Sequence, residues 1–150
     1  MTLRVSPTDP GMSLFVGTVN RDGVPSGCRA VAATSDDDLR TLTIYLPIAT
    51  SRDVIANIAA TKRIAVAASH PPTHHTVQLK GTTTSVRLAS DGEAELVRTR
   101  FDAFAEVLHA IGIPRRIGRS ITLWPAFAVD MNVEEIFEQT PGPNAGALLR

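Results

Sequence analysis

The sequence predicts a mainly β protein: an antiparallel barrel of six strands, with two main helices covering its openings or edges. Three observations carry that expectation. Six segments have the apolar or β-branched pattern of strands, and most follow one another with no helix between them. Only two segments have helical spacing. The strand–helix–strand alternation of a parallel sheet is absent, and so is any internal repeat.

Residues 1–12 are punctuated by Pro and Gly and predict an irregular arm. The first strand is Ser13–Val19, and Asn20-Arg21-Asp22-Gly23 carries the Asp-Gly signal of a hairpin turn. The second strand spans Gly27–Ala33, with Arg29 among small apolar neighbours. Asp36-Asp37-Asp38 caps the following turn and is expected to be solvated, since no further carboxylates cluster nearby. Thr41–Leu46 is the third strand, closed by Pro47, which has no N–H to continue a ladder. A helix over residues 52–60 follows, with Val54, Ile55 and Ile58 on its inner face. Ile64–Ala68 reads as a buried strand, His70–His75 as a Pro-rich loop, and Thr76–Val86 as a long β-branched strand. Ser90-Asp91-Gly92-Glu93 is a capping box that opens the longest helix. Its stripe is Val97, Phe101, Phe104, Leu108 and Ile111, and Gly112 and Pro114 end it. A loop carrying Arg115, Arg116 and Arg119 leads to a last strand over Ala126–Phe137 and an irregular tail over residues 140–150.

Composition bounds the function classes. One hundred and fifty residues fit one domain, 1–150, with a core of its own. Apolar residues at 43% and charged residues at 20% are ordinary globular usage, which argues against wholesale disorder. Fifteen basic residues balance fifteen acidic ones, so the footprint of a dedicated nucleic-acid binder is missing. A single cysteine, Cys28, excludes an intrachain disulfide and suits a reducing cytoplasm, the expected location. The first residues lack the apolar centre of a signal peptide, and no run approaches membrane-spanning length. No membrane partner is expected.

The stretch from Gly27 to Asn57 holds the candidate chemistry. Ser51 is placed to cap the helix of residues 52–60, whose first N–H groups and partial positive charge suit a phosphate. Arg52 beside it and Arg29 on the neighbouring strand are placed to close a fork around that anion. Each also has a plainer role: Arg29 as a strand residue reaching the rim or pairing with a carboxylate, Ser51 as an ordinary cap, Arg52 as a solvated charge. His70, His74 and His75 have no acid or Cys partner at a metal-binding spacing, so no metal is expected. Cys28 is expected to be a small buried hydrophobe. Trp124 is open to three roles: core, interface, or a platform for a flat ring. The Arg115–Arg119 cluster is expected to be a solvated loop, with attraction of an anionic substrate as the alternative.

The element order, the Arg29-Ala30-Val31 strand, the Ser51-Arg52 helix entry followed by Asn57, and Gln78-Leu79-Lys80-Gly81 together resemble the pyridoxamine 5′-phosphate oxidase-like FMN-binding split-barrel family, over roughly Leu14 to Gly146. The resemblance implies a six-stranded split barrel that binds FMN, working as a homodimer with the cofactor at the subunit interface. It implies that Arg29, Ala30 and Val31 lie on the flavin-facing strand, and that Leu46 and Pro47 meet the ring or ribityl chain through backbone atoms. Ser51 and Arg52 would hold the phosphate, and Gln78 and Lys80 would line the cleft. The function it implies is FMN-dependent oxidation or reduction of a small molecule, with a nicotinamide or quinone-like electron partner.

Two departures qualify this. Where the family continues Ser-Arg-Lys, this chain has Asp53, a charge that repels a phosphate and weakens FMN binding. As a first-turn acid, Asp53 instead complements the helix dipole. The chain also ends Leu148-Leu149-Arg150, without the Arg-x-His segment of vitamin B6 oxidases, so that activity is not expected. The alternatives are a noncatalytic split-barrel binder with weak or no FMN binding and, as a minor one implied by the resemblance, haem ligation by a loop histidine.

Overall fold

A computed structural model describes residues 3–150. Residues 1 and 2 of the expected arm lie outside the described residues. The strands are β1 (Ser13–Val19), β2 (Pro25–Ala30), β3 (Ala32–Ser35), β4 (Thr41–Pro47), β5 (Arg63–Ser69), β6 (Thr76–Leu88) and β7 (Ala126–Glu138). The helices are α1 (Arg52–Thr61), α2 (Ala94–Ala110) and α3 (Arg115–Arg119). All seven strands form one antiparallel sheet in the order β2-β1-β5-β6-β7-β4-β3.

The order explains why the sheet curls. β2 and β3 are its two opposite edges, yet only Val31 separates them in sequence. A flat ribbon of that width cannot place its two edges one residue apart, so the sheet bends round until they meet. At the meeting point Val31 donates its N–H to the Tyr45 carbonyl at 2.9 Å. This is the split barrel, and it corrects the strand count from six to seven. The expected Gly27–Ala33 strand is interrupted at Val31 because its first part pairs with β1 and its second with β4. β6 assists the bend with register shifts at Lys80/Gly81 and Thr83/Ser85. Gly81 is required there, since a Cβ would overlap the Asn132 carbonyl.

Period-two burial fills the inside of the barrel. Leu14, Val16, Cys28, Ile44, Leu46, Val66, Leu79, Val129 and Ile136 share one buried cluster. A second cluster lies outside the sheet, where Val97, Phe101 and Phe104 of α2 pack on Ala32, Tyr45 and Ala128. Leu108 packs at the edge of that cluster, while Ile111, the last residue of the expected stripe, follows the helix and is exposed. The capping box forms: the Ser90 N–H donates to Glu93 Oε2 at 2.7 Å. The Glu93 carboxylate also accepts two bonds from Arg87 and one from the Tyr45 hydroxyl, tying the start of α2 to β6 and β4. The Arg87 fork beside it holds the Glu93 carboxyl well below the usual carboxylate range.

Two further segments differ from expectation. The Arg115–Arg119 loop forms the short helix α3, with Gly118 buried against Ala105. The tail after residue 140 folds back along β7: the Leu149 N–H donates to the Ile136 carbonyl and the Ile136 N–H to the Arg150 carbonyl, each at 2.7 Å. No helix among the described residues is long and apolar enough to cross a membrane.

Candidate functional site

Two adjoining cavities lie along β2 and share Gly27 and Thr50 in their walls. The first, about 290 Å³, is lined by Gly27, Cys28, Arg29, Val31, Pro47, Thr50 and Ile121. The second, about 450 Å³, includes Ser26, Arg52, Asp53 and Val54. Together they make a trough with an apolar compartment around Arg29 and a polar one at the start of α1.

Alternation along β2 sends Cys28 and Ala30 into the barrel and Arg29 outward. The Arg29 guanidinium lies 5.1 Å from the centre of the Phe104 ring, and its Nη1 donates to Ser13 Oγ at 3.0 Å. Half-buried, it has its pKa lowered by desolvation; a guanidinium nevertheless stays protonated. Gly27 has no side chain because the Phe15 ring crosses it, 2.7 Å from where a Cβ would sit. Burial pushes the Cys28 thiol up to about 11, the behaviour of a packed hydrophobe rather than a nucleophile.

The start of α1 differs from the expected cap. Ser51 holds the N-cap position, but its hydroxyl donates to the Pro47 carbonyl at 2.7 Å and is fully buried. No side chain caps the helix, and its first-turn residues Arg52, Asp53 and Val54 line the second compartment. Both Arg52 and Asp53 are exposed, and neither forms a salt bridge among the described residues.

Of the residues singled out by sequence, Arg29, Val31, Pro47 and Arg52 line the trough. Ala30 and Leu46 face the barrel core and line neither compartment. Gln78 and Lys80 lie on the same outer face as Arg29, as the register Arg29–Phe15–Ala67–Gln78 shows. They are three strands away, a distance of about 14 Å. Lys80 Nζ sits 4.6 Å from the centre of the Phe137 ring, and Gln78 Oε1 accepts from Gln139 at 3.5 Å. Sequence reasoning missed Thr50 and Ile121 as lining residues, and Ser13 and Phe104 as partners of Arg29. Only the Thr50-Ser51-Arg52 run hinted at the first; nothing local marks the other three.

The outer face between Arg29 and Gln78 is made of small residues. Gly17, Gly27, Ala65 and Ala67 form its floor, and Phe15 stands on it 50% exposed. A larger cavity, about 890 Å³, lies elsewhere, between the N-terminal arm and the Asp36–Leu39 turn. Its charges serve the fold: Arg100 donates to the Thr8 carbonyl, Arg150 to the Asp38 carbonyl, and Asp36 Oδ1 accepts from the Arg40 and Thr41 N–H groups. Among the described residues, no group of three or more His, Cys, Asp or Glu side chains is arranged to hold a metal. His70 Nδ1 instead pairs with Thr73 Oγ1 at 2.9 Å.

No family model matches the chain, and no curated protein matches it. Solved structures do. A candidate pyridoxamine 5′-phosphate oxidase of Lactobacillus delbrueckii is 21% identical, with 83% of each chain covered and a TM-score of 0.52. An F420 reductase is 13% identical over 87% of this chain and 92% of that one, with a TM-score of 0.53. An FMN-binding protein of Syntrophomonas wolfei is 10% identical over 83% of this chain and 75% of that one, with a TM-score of 0.50. At these identities the likeness is one of architecture, and the chain has the split-barrel fold of the pyridoxamine 5′-phosphate oxidase-like proteins.

Proposed function

We propose that the chain binds FMN and acts as an FMN-dependent oxidoreductase on a small molecule, working as a homodimer. One observation carries this: two guanidinium groups and an uncapped helix start open onto one trough that has an apolar end. A flat ring suits the compartment walled by Val31, Pro47 and Ile121. An anionic end suits Arg52 and the free N–H groups of α1. When bound, FMN supplies hydride exchange at its N5. The chain's own part is to hold the ring beside Arg29, to anchor the phosphate, and to exclude water with Ile121 and Pro47.

The dimer is supported by distance. Gln78 and Lys80 stand too far from the trough of their own subunit to complete it. A second copy seated on the Gly17–Ala65 face would bring its own pair toward the flavin. The fold neighbours add support: one is an FMN-binding protein and another an F420 reductase. Vitamin B6 is not the proposed substrate.

A purified protein that is yellow, or that shows a flavin band shifted on adding FMN and bleached by a nicotinamide donor, is the expected result. Colourless protein that leaves the spectrum of added FMN unchanged would overturn the proposal. Two observations favour a second function, a split-barrel binding protein without flavin chemistry. Asp53 stands beside Arg52 in the anion compartment, and the Ser51 hydroxyl is engaged with Pro47. Folded, colourless protein that binds added FMN weakly or not at all would select it.

A further inference from the structure

Arg29 is held from two sides by residues that the flavin proposal does not use. The Phe104 ring covers one face of its guanidinium at 5.1 Å, and Ser13 Oγ accepts from Nη1 at 3.0 Å. Phe104 comes from α2 and Ser13 from the first position of β1, so helix, sheet and β2 meet at this one group. The remaining N–H groups of the fork make no hydrogen bond among the described residues, and the residue lines the trough beside Val31 and Ile121. A free arginine side chain loses considerable rotamer freedom when it engages a ligand. Here part of that ordering is already done, because the ring packs against the guanidinium and the serine accepts a bond from one of its nitrogens.

We infer that Phe104 and Ser13 are positioning residues: they fix Arg29 so that its open N–H edge faces the flavin nucleotide, and their effect on binding passes through that one guanidinium. The inference rests on the FMN assignment. It assigns α2 a role in the site although no α2 residue lines the trough. Phe104 also packs in the outer cluster, which gives it a structural role as well, so a fall in stability alone does not decide the matter.

The test is a double-mutant cycle on FMN affinity, read by flavin fluorescence quenching in the full-length protein. Arg29→Gln is expected to weaken FMN binding about tenfold, the scale of one charged hydrogen-bonding contact. Phe104→Leu and Ser13→Ala are each expected to weaken it about threefold to fivefold in the native background. In the Arg29→Gln background the same changes are expected to do almost nothing, whereas Ser13→Thr, which keeps the hydroxyl, is expected to leave affinity near the native value in the native background. A merely structural role would give the same factor in both backgrounds, and that result overturns the inference. Ser13→Ala keeps the test available if Phe104→Leu fails to fold. If the native protein binds FMN and Arg29→Gln binds it equally well, the inference falls and the flavin assignment stands. If the native protein binds no FMN at all, both fall.

Discussion

The two halves of the curled sheet are finished differently on their outer faces. Over β3, β4 and β7, helix α2 closes the surface, and Val97, Phe101, Phe104, Ala32, Tyr45 and Ala128 are each at most 5% exposed. Over β2, β1, β5 and the first part of β6, Phe15 is exposed and Gly17, Ala65 and Ala67 are partly exposed. The covered half carries large side chains that interlock with a helix. The bare half is paved with Gly and Ala, which leaves a shallow surface that another flat surface can approach closely. One half is complete within the subunit; on the proposed dimer the other is completed by the second copy.

The largest expected effect lies in the covered half. Phe101→Ala should remove about 3–5 kcal/mol of stability in urea unfolding, because it opens a void beneath α2. A loss below about 1 kcal/mol would show that α2 is not packed there and would erase the contrast between the halves. On the bare half, Gly17→Arg should leave the subunit folded, since a Cβ at Gly17 meets nothing within 4 Å. The same change should convert the dimer to monomer in sedimentation and weaken FMN binding by about tenfold or more, roughly the loss of one good contact. A dimer that survives with normal affinity would place the subunit contact elsewhere.

Smaller effects sharpen the comparison at its borders. Asp53→Lys should tighten FMN binding by roughly tenfold at low salt, as a repelling charge becomes an attracting one, with the gain shrinking at high salt. Calorimetric titration showing equal or weaker affinity would move the phosphate away from α1. At the edge of the covered half, Arg87 depresses the Glu93 carboxyl in the folded state. A depressed carboxyl contributes its stabilisation in full above the ordinary value, about 4.3, and loses it as pH falls below that toward the folded value. Thermal midpoints should therefore drop below about pH 4 in the native protein. Glu93→Gln should flatten that drop, and an unchanged acid slope would remove Glu93 from the cause.

Much of the fold was legible in the sequence, while the contrast between its halves has physical reasons for being hidden. Strand positions followed from period-two patterns such as Leu14, Val16 and Thr18, and α2 followed from its capping box and the Val97–Phe101–Phe104 stripe. The break at Val31 was invisible because Arg29–Ala33 has continuous strand chemistry, and only the pairing partners change. Short α3 was hidden by three arginines, which look the same in a loop. At the site, Arg29 and Arg52 could be named from local context, while the Ser51 hydroxyl could not be foreseen to prefer the Pro47 carbonyl. The clamp of Ser13 and Phe104 joins residues 16 and 75 positions from Arg29, and no local pattern encodes such a meeting. The face taken by Gln78 and Lys80 was left open, and their separation from Arg29 depends on strand order, which sequence alone does not fix.

The single-residue link between β2 and β3 makes an insertion at Val31 a mechanical fault. One added residue there would require either a loop bulging between Pro47 and Ile121 or a slip of one edge strand. A slip would turn Arg29 inward and Cys28 outward, or do the equivalent to Ala33 and Thr34. Lengthening the chain by one residue would thus strike the rim of the barrel and the wall of the trough together, whereas the hairpin at Asn20–Gly23, exposed and far from that seam, has room for the same extra residue.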